Sequence, residues 1–175
     1  MVATAMLDWL WRPPSVTIDD LIRNHYDEVY RFCARRAEES AAADLTQATF
    51  IDAQKSLRSF RGDSSAKTWL FGIAYNRCRQ WAKQRKQEGP QVELREDLLA
   101  VANSESQLVD REILQQALAK LTPDHREAVW LCVVEGLTTA EAGAVAGVPQ
   151  GTIKSRLHYA FAQLRKQLTE EEVTR

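Results

Sequence analysis

The side chains best suited to contact a charged ligand lie along one predicted helix near the C-terminus. Apolar residues recur there at helical spacing and predict one buried stripe, made of Ile153, Leu157, Ala160, Phe161, Leu164 and Leu168. The opposite face carries Lys154, Ser155, His158, Tyr159, Arg165 and Lys166. This face suits the major groove of duplex DNA, because its early side chains can reach base edges while the flanking cations meet phosphates.

The residues before this helix complete a helix-turn-helix pattern. Thr138 and Glu141 have the spacing of a capping box, which predicts the start of a short helix. The segment 147–151 (GVPQG) consists of turn residues and separates the two helices. The alternative interpretation is an ordinary helical hairpin whose polar face is only solvated.

A second candidate nucleic-acid surface lies in the predicted helix 67–86. Its rings are Trp69, Tyr75 and Trp81, and its later cations are Arg77, Arg79, Lys83, Arg85 and Lys86. Alternating rings and cations suit a single strand, whose bases stack while its backbone meets positive charge. Asn76 could read a base edge, because its amide both donates and accepts hydrogen bonds. Trp69 and Ile73 are expected to be core residues, whereas Tyr75, Asn76 and Arg79 fit strand contact and a solvated face equally.

The elements that must position these surfaces are all predicted to be helices. The first begins at Thr17 and buries a face that includes Ile22 and His25, the histidine being a hydrogen-bonded core residue. A loop at 61–65 precedes the helix 67–86 and supplies Ser64 or Ser65 as its cap. The other predicted helices are 42–60, 108–121, and one that begins at Thr122-Pro123 and has its apolar body at 128–134.

The distribution of charge along the 175-residue chain is more informative than its formal net charge of −1. Residues 15–87 hold 13 Lys/Arg against 9 Asp/Glu, a balance of +4, whereas residues 88–112 hold 2 against 7, a balance of −5. We therefore predict an all-α protein with two small helical domains joined by a flexible acidic linker. The expected boundaries are 1–14 for a leader, 15–87 for the first domain, 88–107 for the linker, 108–169 for the second domain and 170–175 for an acidic tail.

Several functional classes are not supported by the sequence. Cys33, Cys78 and Cys132 are widely spaced within apolar helical patterns, so they predict small buried side chains rather than disulfides or a zinc site. There is no phosphate-binding glycine loop and no nucleophile with a partnered base, so we expect neither an enzyme nor a cofactor or metal. No signal peptide or membrane-spanning stretch is predicted, and the cytoplasm is the expected compartment.

Two groups of motifs resemble one known family, the extracytoplasmic-function (ECF) sigma factors. The segments 44–50 (DLTQATF), 60–64 (FRGDS) and 68–76 (TWLFGIAYN) are similar to the family's second conserved region. The segments 121–123 (LTP) and 147–157 (GVPQGTIKSRL) are similar to its fourth region. The two resemblances follow the family's order and cover roughly residues 18–168.

The resemblance implies a protein that binds core RNA polymerase and helps it open promoter DNA. It assigns docking on the coiled coil of the polymerase's β′ subunit to Asp44, Gln47, Thr49 and Phe50. It assigns capture of the non-template strand of the −10 element to Arg61, Asp63, Ser64, Lys67, Tyr75, Asn76, Arg79 and Lys83. It assigns the −35 element to Thr152, Lys154, Ser155, Arg156, His158, Tyr159 and Arg165, with Arg156 and Arg165 nearer phosphate. An anti-sigma factor is a further implied partner.

The chain also departs from the family pattern. Ala48 and Gln54 replace a common glutamate and tryptophan, and Ala142 with Gly143 makes the first helix of the helix-turn-helix small. An interior glycine costs a helix roughly 1 kcal/mol relative to alanine, so this helix is expected to depend on packing. Two other functions remain open from the residues alone: a transcriptional regulator that does not bind polymerase, and an adaptor that only sequesters a protein.

Overall fold

The computed structural model describes residues 16–88 and 114–173. These ranges contain helices and turns but no strand. The helices are α1 (Ile18–Ala34), α2 (Glu39–Ser56), α3 (Ala66–Glu88), α4 (114–119), α5 (Pro123–Val129), α6 (Thr139–Ala146) and α7 (Gln150–Val173). A 3-10 turn, Leu57–Ser59, follows α2, and a π-helical turn, Trp130–Val134, continues α5. The predicted leader, nearly all of the predicted linker and the start of the helix predicted from 108 lie outside the described residues.

Helix α1 begins where its capping residues can satisfy the first backbone amides. The Thr17 hydroxyl accepts from the Asp20 amide at 3.2 Å, and the Thr17 amide donates to the Asp20 carboxylate at 3.2 Å. The predicted core face is wrong at Ile22, which is exposed. His25 is half-buried rather than buried, but it has the predicted hydrogen-bond partner, since its Nδ1 is 2.9 Å from a Glu28 carboxylate oxygen.

Helices α1, α2 and α3 form one bundle around buried rings. The centres of the Phe32 and Phe71 rings are 4.6 Å apart. Trp69 packs against the edge of this core beside Phe60, and Ile73 also packs against it, as predicted for both residues. Ser65 is the predicted cap of α3, because its hydroxyl accepts from the Thr68 amide at 3.1 Å.

The cysteines behave mainly as buried thiols. Cys33 and Cys78 lie inside the bundle, as predicted, whereas Cys132 is only partly buried. The hydrogen bond between the two core thiols, followed by burial, raises the pKa of Cys78. Burial also raises the pKa of Cys132.

The helix-turn-helix forms from α6 and α7 as predicted. Thr138 and Glu141 make both hydrogen bonds of the capping box, and Gly147 ends α6 with a φ of 69°. A Cβ atom on Gly143 would lie 2.8 Å from the carbonyl oxygen of Val148. The glycine thus lets the turn fold back onto α6, which is a positive reason for a residue that had appeared only to weaken the helix.

Helix α7 buries three of the six residues of the predicted stripe, Ile153, Ala160 and Leu164, and half-buries Leu157. Phe161 is exposed, so its assignment to the buried stripe is wrong, and the Leu168 side chain lies outside the described part of the chain. The helix also continues to Val173, past the expected domain end at 169.

The two groups of helices pack against each other. Helix α6 lies against α3, and one hydrophobic cluster joins Phe32 and Phe71 of the first group to Leu131, Val145 and Ile153 of the second. Domains predicted as separate modules therefore share a core in this structure. The contacts involved join residues far apart in sequence, which helical periodicity does not predict.

Candidate nucleic-acid and polymerase interfaces

The face of α7 that is predicted to contact DNA is largely open to solvent. Lys154, Ser155, His158 and Arg165 are exposed, Thr152 is half-buried, and Tyr159 is 61% exposed. The Tyr159 ring lies 6.1 Å from the His125 ring of α5 and 5.5 Å from the His158 ring, measured between centres. The face therefore combines an exposed cation and an exposed hydroxyl with a ring that lies near α5, a set able to contact both bases and phosphates.

Arg156 is directed toward the protein. Its guanidinium forms an ion pair with Asp124 in the first turn of α5. In this structure the ion pair of Arg156 links α7 to α5. The side chain therefore points toward the protein rather than toward the solvent.

The predicted strand-binding residues of α3 and its preceding loop divide into two groups. Those open to solvent are Arg61, Asp63, Asn76, Arg79 and Lys83. The half-buried ones are Ser64, Lys67 and Tyr75. The Lys67 ammonium donates to Glu28 at 2.8 Å, and the Arg79 guanidinium lies 5.6 Å from the centre of the Tyr75 ring. The exposed residues of α3 supply cations and an amide, and the half-buried Tyr75 ring lies beside Arg79, which is suitable chemistry for a single strand.

The residues predicted to dock on polymerase are split between surface and core. Asp44 and Gln47 are exposed on α2. Thr49 is 0% exposed and donates to the Leu45 carbonyl at 2.7 Å, and Phe50 is 6% exposed. In this structure Thr49 and Phe50 hold α2 in the bundle and offer no side-chain surface to a partner.

Sequence reasoning missed Ile51, which continues the stripe of Asp44 and Gln47. It is 44% exposed and lies four residues after Gln47, one turn along the same helical face. The spacing was visible in the sequence, because positions 44, 47 and 51 recur at three- and four-residue steps and therefore share one face of a helix.

Two further observations limit the chemistry of the described residues. Within 16–88 and 114–173, no group of three or more His, Cys, Asp or Glu side chains could hold a metal ion. Among the helices described, none is both long and apolar enough to cross a membrane.

Both halves of the chain match known protein families. Residues 21–88 match the family described as Sigma-70 region 2, and residues 117–166 match Sigma-70, region 4. The chain belongs to the sigma-70 family.

Relatives of this sigma factor span nearly its whole length. It is 31% identical to RNA polymerase sigma factor YlaC of Bacillus subtilis over 160 residues, which cover 87% of this chain and 92% of that one. It is 37% identical to ECF RNA polymerase sigma factor SigE of Mycolicibacterium smegmatis over 158 residues, which cover 86% of this chain and 61% of that one. These relatives place it among the ECF sigma factors.

A solved structure supports the same assignment. The sigma factor RpoE, crystallised with the anti-sigma factor NepR from Bartonella quintana, is similar with a TM-score of 0.66 and 27% identity. The similarity covers 86% of this chain and 96% of that one. The paired regions favour a sigma factor over a regulator that does not bind polymerase.

Proposed function

We propose that this ECF sigma factor brings core RNA polymerase to promoters by reading the −35 element with α7 and capturing the −10 strand with α3. The observation that carries the proposal is the pairing of a region-2 bundle with a region-4 helix-turn-helix whose recognition face is open. The polymerase supplies the chemistry, so the sigma factor itself is not an enzyme. Its site of action is the cytoplasm, where polymerase meets the chromosome.

Reconstituted transcription tests this function. Core polymerase with the purified chain is expected to give new, promoter-specific start sites on genomic fragments, whereas core polymerase alone gives none. Tight binding to core polymerase without any specific start site would contradict the proposal and favour an adaptor that only sequesters its partner.

The −35 element is proposed to be read by Lys154, Ser155, His158 and Tyr159, with Thr152 at the start of the face. Arg165 lies farther along the helix, where a cation meets phosphate. Arg156 is proposed to act indirectly, because its ion pair with Asp124 fixes the position of α7 relative to α5.

Replacing Lys154 and Arg165 by alanine is expected to give two different results. Lys154→Ala should weaken binding to the cognate −35 duplex by roughly 1–3 kcal/mol, because a base contact is lost. Arg165→Ala should weaken binding to all DNA sequences alike. It should also reduce the slope of log affinity against log salt concentration by about 1. Fluorescence anisotropy with cognate and scrambled duplexes at several salt concentrations measures both. If neither variant differs from the parent on either duplex, α7 does not present this face to DNA.

The polymerase-docking surface is proposed to be the stripe of Asp44, Gln47 and Ile51 on α2. We expect Ile51→Ser to weaken core polymerase binding by roughly ten- to a hundredfold, since burying an isoleucine in an interface contributes about 1.5–3 kcal/mol. Ile22→Ser on α1 is the matched control, because Ile22 is similarly exposed at 38%. Affinity measured by titration of labelled sigma factor should separate the two variants. Equal affinities would place the docking surface elsewhere.

An anti-sigma factor is proposed as a regulatory partner. The support is the similarity to RpoE, which was solved with the anti-sigma factor NepR. The candidate partner is a protein that binds both helical domains.

A further inference from the structure

Gln150, the first residue of α7, is held in place both by its backbone and by its side chain. Its amide nitrogen Nε2 donates to the hydroxyl of Thr139, the first residue of α6, at 2.9 Å. Its backbone lies close to Gly143, where a Cβ atom would be 3.3 Å from the Gln150 backbone nitrogen and 3.5 Å from its Cα. The residue is nevertheless exposed, so this fixed amide is accessible to a ligand.

Gln150 also begins a row of side chains along the face of α7 that is proposed to meet DNA. Gln150, Lys154 and His158 recur at four-residue steps, and all three are exposed. Residues at this spacing share one face of a helix and lie about one turn, roughly 5.4 Å, apart. In a helix-turn-helix, the N-terminal residues of the second helix contact base edges. The row therefore extends the proposed reading face by one turn, to the end of the helix that enters the groove.

The bond to Thr139 leaves the Gln150 amide with the groups that adenine requires. A glutamine amide has a carbonyl oxygen that accepts and a nitrogen with two N–H groups that donate. Thr139 takes one of these N–H groups, and the other and the oxygen Oε1 have no partner among the described residues. Adenine presents the N6 amino group and the N7 acceptor side by side in the major groove, which matches this pair, whereas guanine presents two acceptors.

The hydroxyl of Thr139 makes this contact selective by fixing the amide beforehand. A glutamine side chain has many rotamers, and ordering it costs conformational entropy. A side chain that is already ordered avoids much of this cost when it binds, and it cannot turn its oxygen and nitrogen freely toward other bases. Thr139 would therefore act as a positioning residue, through Gln150 and not by touching a base itself.

We propose that Gln150 is a further specificity-determining residue, which accepts from N6 and donates to N7 of one adenine in the −35 element while Thr139 holds its amide. The inference deepens the proposed reading of the −35 element by α7 and rests on it. One helical turn rises about 5.4 Å and successive base pairs about 3.4 Å, so this adenine should lie within about two base pairs of the pair that Lys154 contacts.

The test uses the full chain and a panel of duplexes that carry each single base-pair change in a −35 element found by reconstituted transcription. Fluorescence anisotropy measures the affinity for each duplex. Replacing the A·T pair by G·C should weaken binding of the parent by roughly ten- to a hundredfold. Gln150→Ala should bind the cognate duplex more weakly by a similar factor and should no longer distinguish A·T from G·C at this pair. Its discrimination at every other pair should be unchanged.

Two substitutions of Thr139 test the positioning role. Thr139→Val keeps the branched shape but removes the hydroxyl, and it should reduce discrimination at the same base pair only. Thr139→Ser keeps the hydroxyl and should restore that discrimination. Gln116→Ala is the matched control for Gln150→Ala, since Gln116 is an exposed glutamine on α4 of the same domain, and it should change no preference.

Three results would overturn the inference. If Gln150→Ala weakens all duplexes alike and reduces the salt dependence, the residue contacts phosphate and not a base. If Thr139→Val lowers discrimination at every pair together, the hydrogen bond only sets the angle between α6 and α7. If Lys154→Ala removes a base preference but Gln150→Ala removes none, the inference fails while the proposed function stands. A parent chain that prefers no −35 duplex, even with core polymerase, would contradict both.

Discussion

Asn76→Ala is expected to reduce open-complex formation at a cognate promoter by roughly ten- to a hundredfold, the loss of about 1–3 kcal/mol of contact with one base. A base that leaves the stack must find contacts that offset a few kcal/mol of unstacking. Asn76 is exposed on α3 and follows Tyr75, whose ring lies 5.6 Å from the Arg79 guanidinium. Its amide can both donate and accept hydrogen bonds. Because it lies outside the core, its loss should leave polymerase binding and −35 binding unchanged.

Permanganate footprinting of promoter thymines measures this opening. Asn24→Ala is a matched control, since Asn24 is an exposed asparagine on α1 and is not among the proposed strand-binding residues. A full footprint with Asn76→Ala would mean that another residue captures the base. Reduced polymerase binding by the same variant would instead show that its effect arises before DNA opening.

Gly143→Ala is expected to destabilise the helix-turn-helix by roughly 1–3 kcal/mol, although alanine is the better helix former. The new Cβ would lie 2.8 Å from the Val148 carbonyl oxygen and 3.3 Å from the Gln150 amide nitrogen. Both are backbone atoms of the turn, so relief requires moving α7 relative to α6. In the proposed complex the angle between these helices sets where Lys154 meets DNA, and −35 affinity should therefore fall together with stability.

Urea unfolding and −35 duplex binding measure the two effects. Gly151→Ala is the control, because a Cβ there meets nothing within 4 Å and φ is not positive. It should be neutral or slightly stabilising, by up to about 1 kcal/mol. If Gly143→Ala proved as stable as Gly151→Ala, the close approach between the turn and α6 would be absent in solution.

The helix starts and the helix-turn-helix were predictable from the sequence. Thr17 with Asp20 and Thr138 with Glu141 form capping boxes in which both partners lie within three residues, so their geometry depends only on the local backbone. The exposed recognition residues of α7 were predictable for the same reason. A helix of known periodicity that buries Ile153 and Leu164 must present Lys154 and His158 on another face.

Only the tertiary structure decided which motif residues face outward and which lie inside. Thr49 and Phe50 belong to a motif that resembles a polymerase-docking region, yet the packing of α2 against its neighbours buries both. Arg156 lies on the recognition helix but pairs with Asp124, 32 residues earlier. A motif records residue type and spacing, whereas burial also depends on the angle and register at which two helices meet.

The packing of the two helical domains against each other could not be predicted from the sequence. The Arg36 guanidinium donates to Glu135, 99 residues away, and the Thr68 hydroxyl donates to Glu141, 73 residues away. Charge and hydrogen-bonding capacity at each position were visible in the sequence, but many acids could have satisfied Arg36. The amino-acid sequence determined local helices and their polar faces through short-range hydrogen bonds and periodicity. The tertiary structure decided the partners, because apolar packing between α3 and α6 brings these particular charges within contact distance.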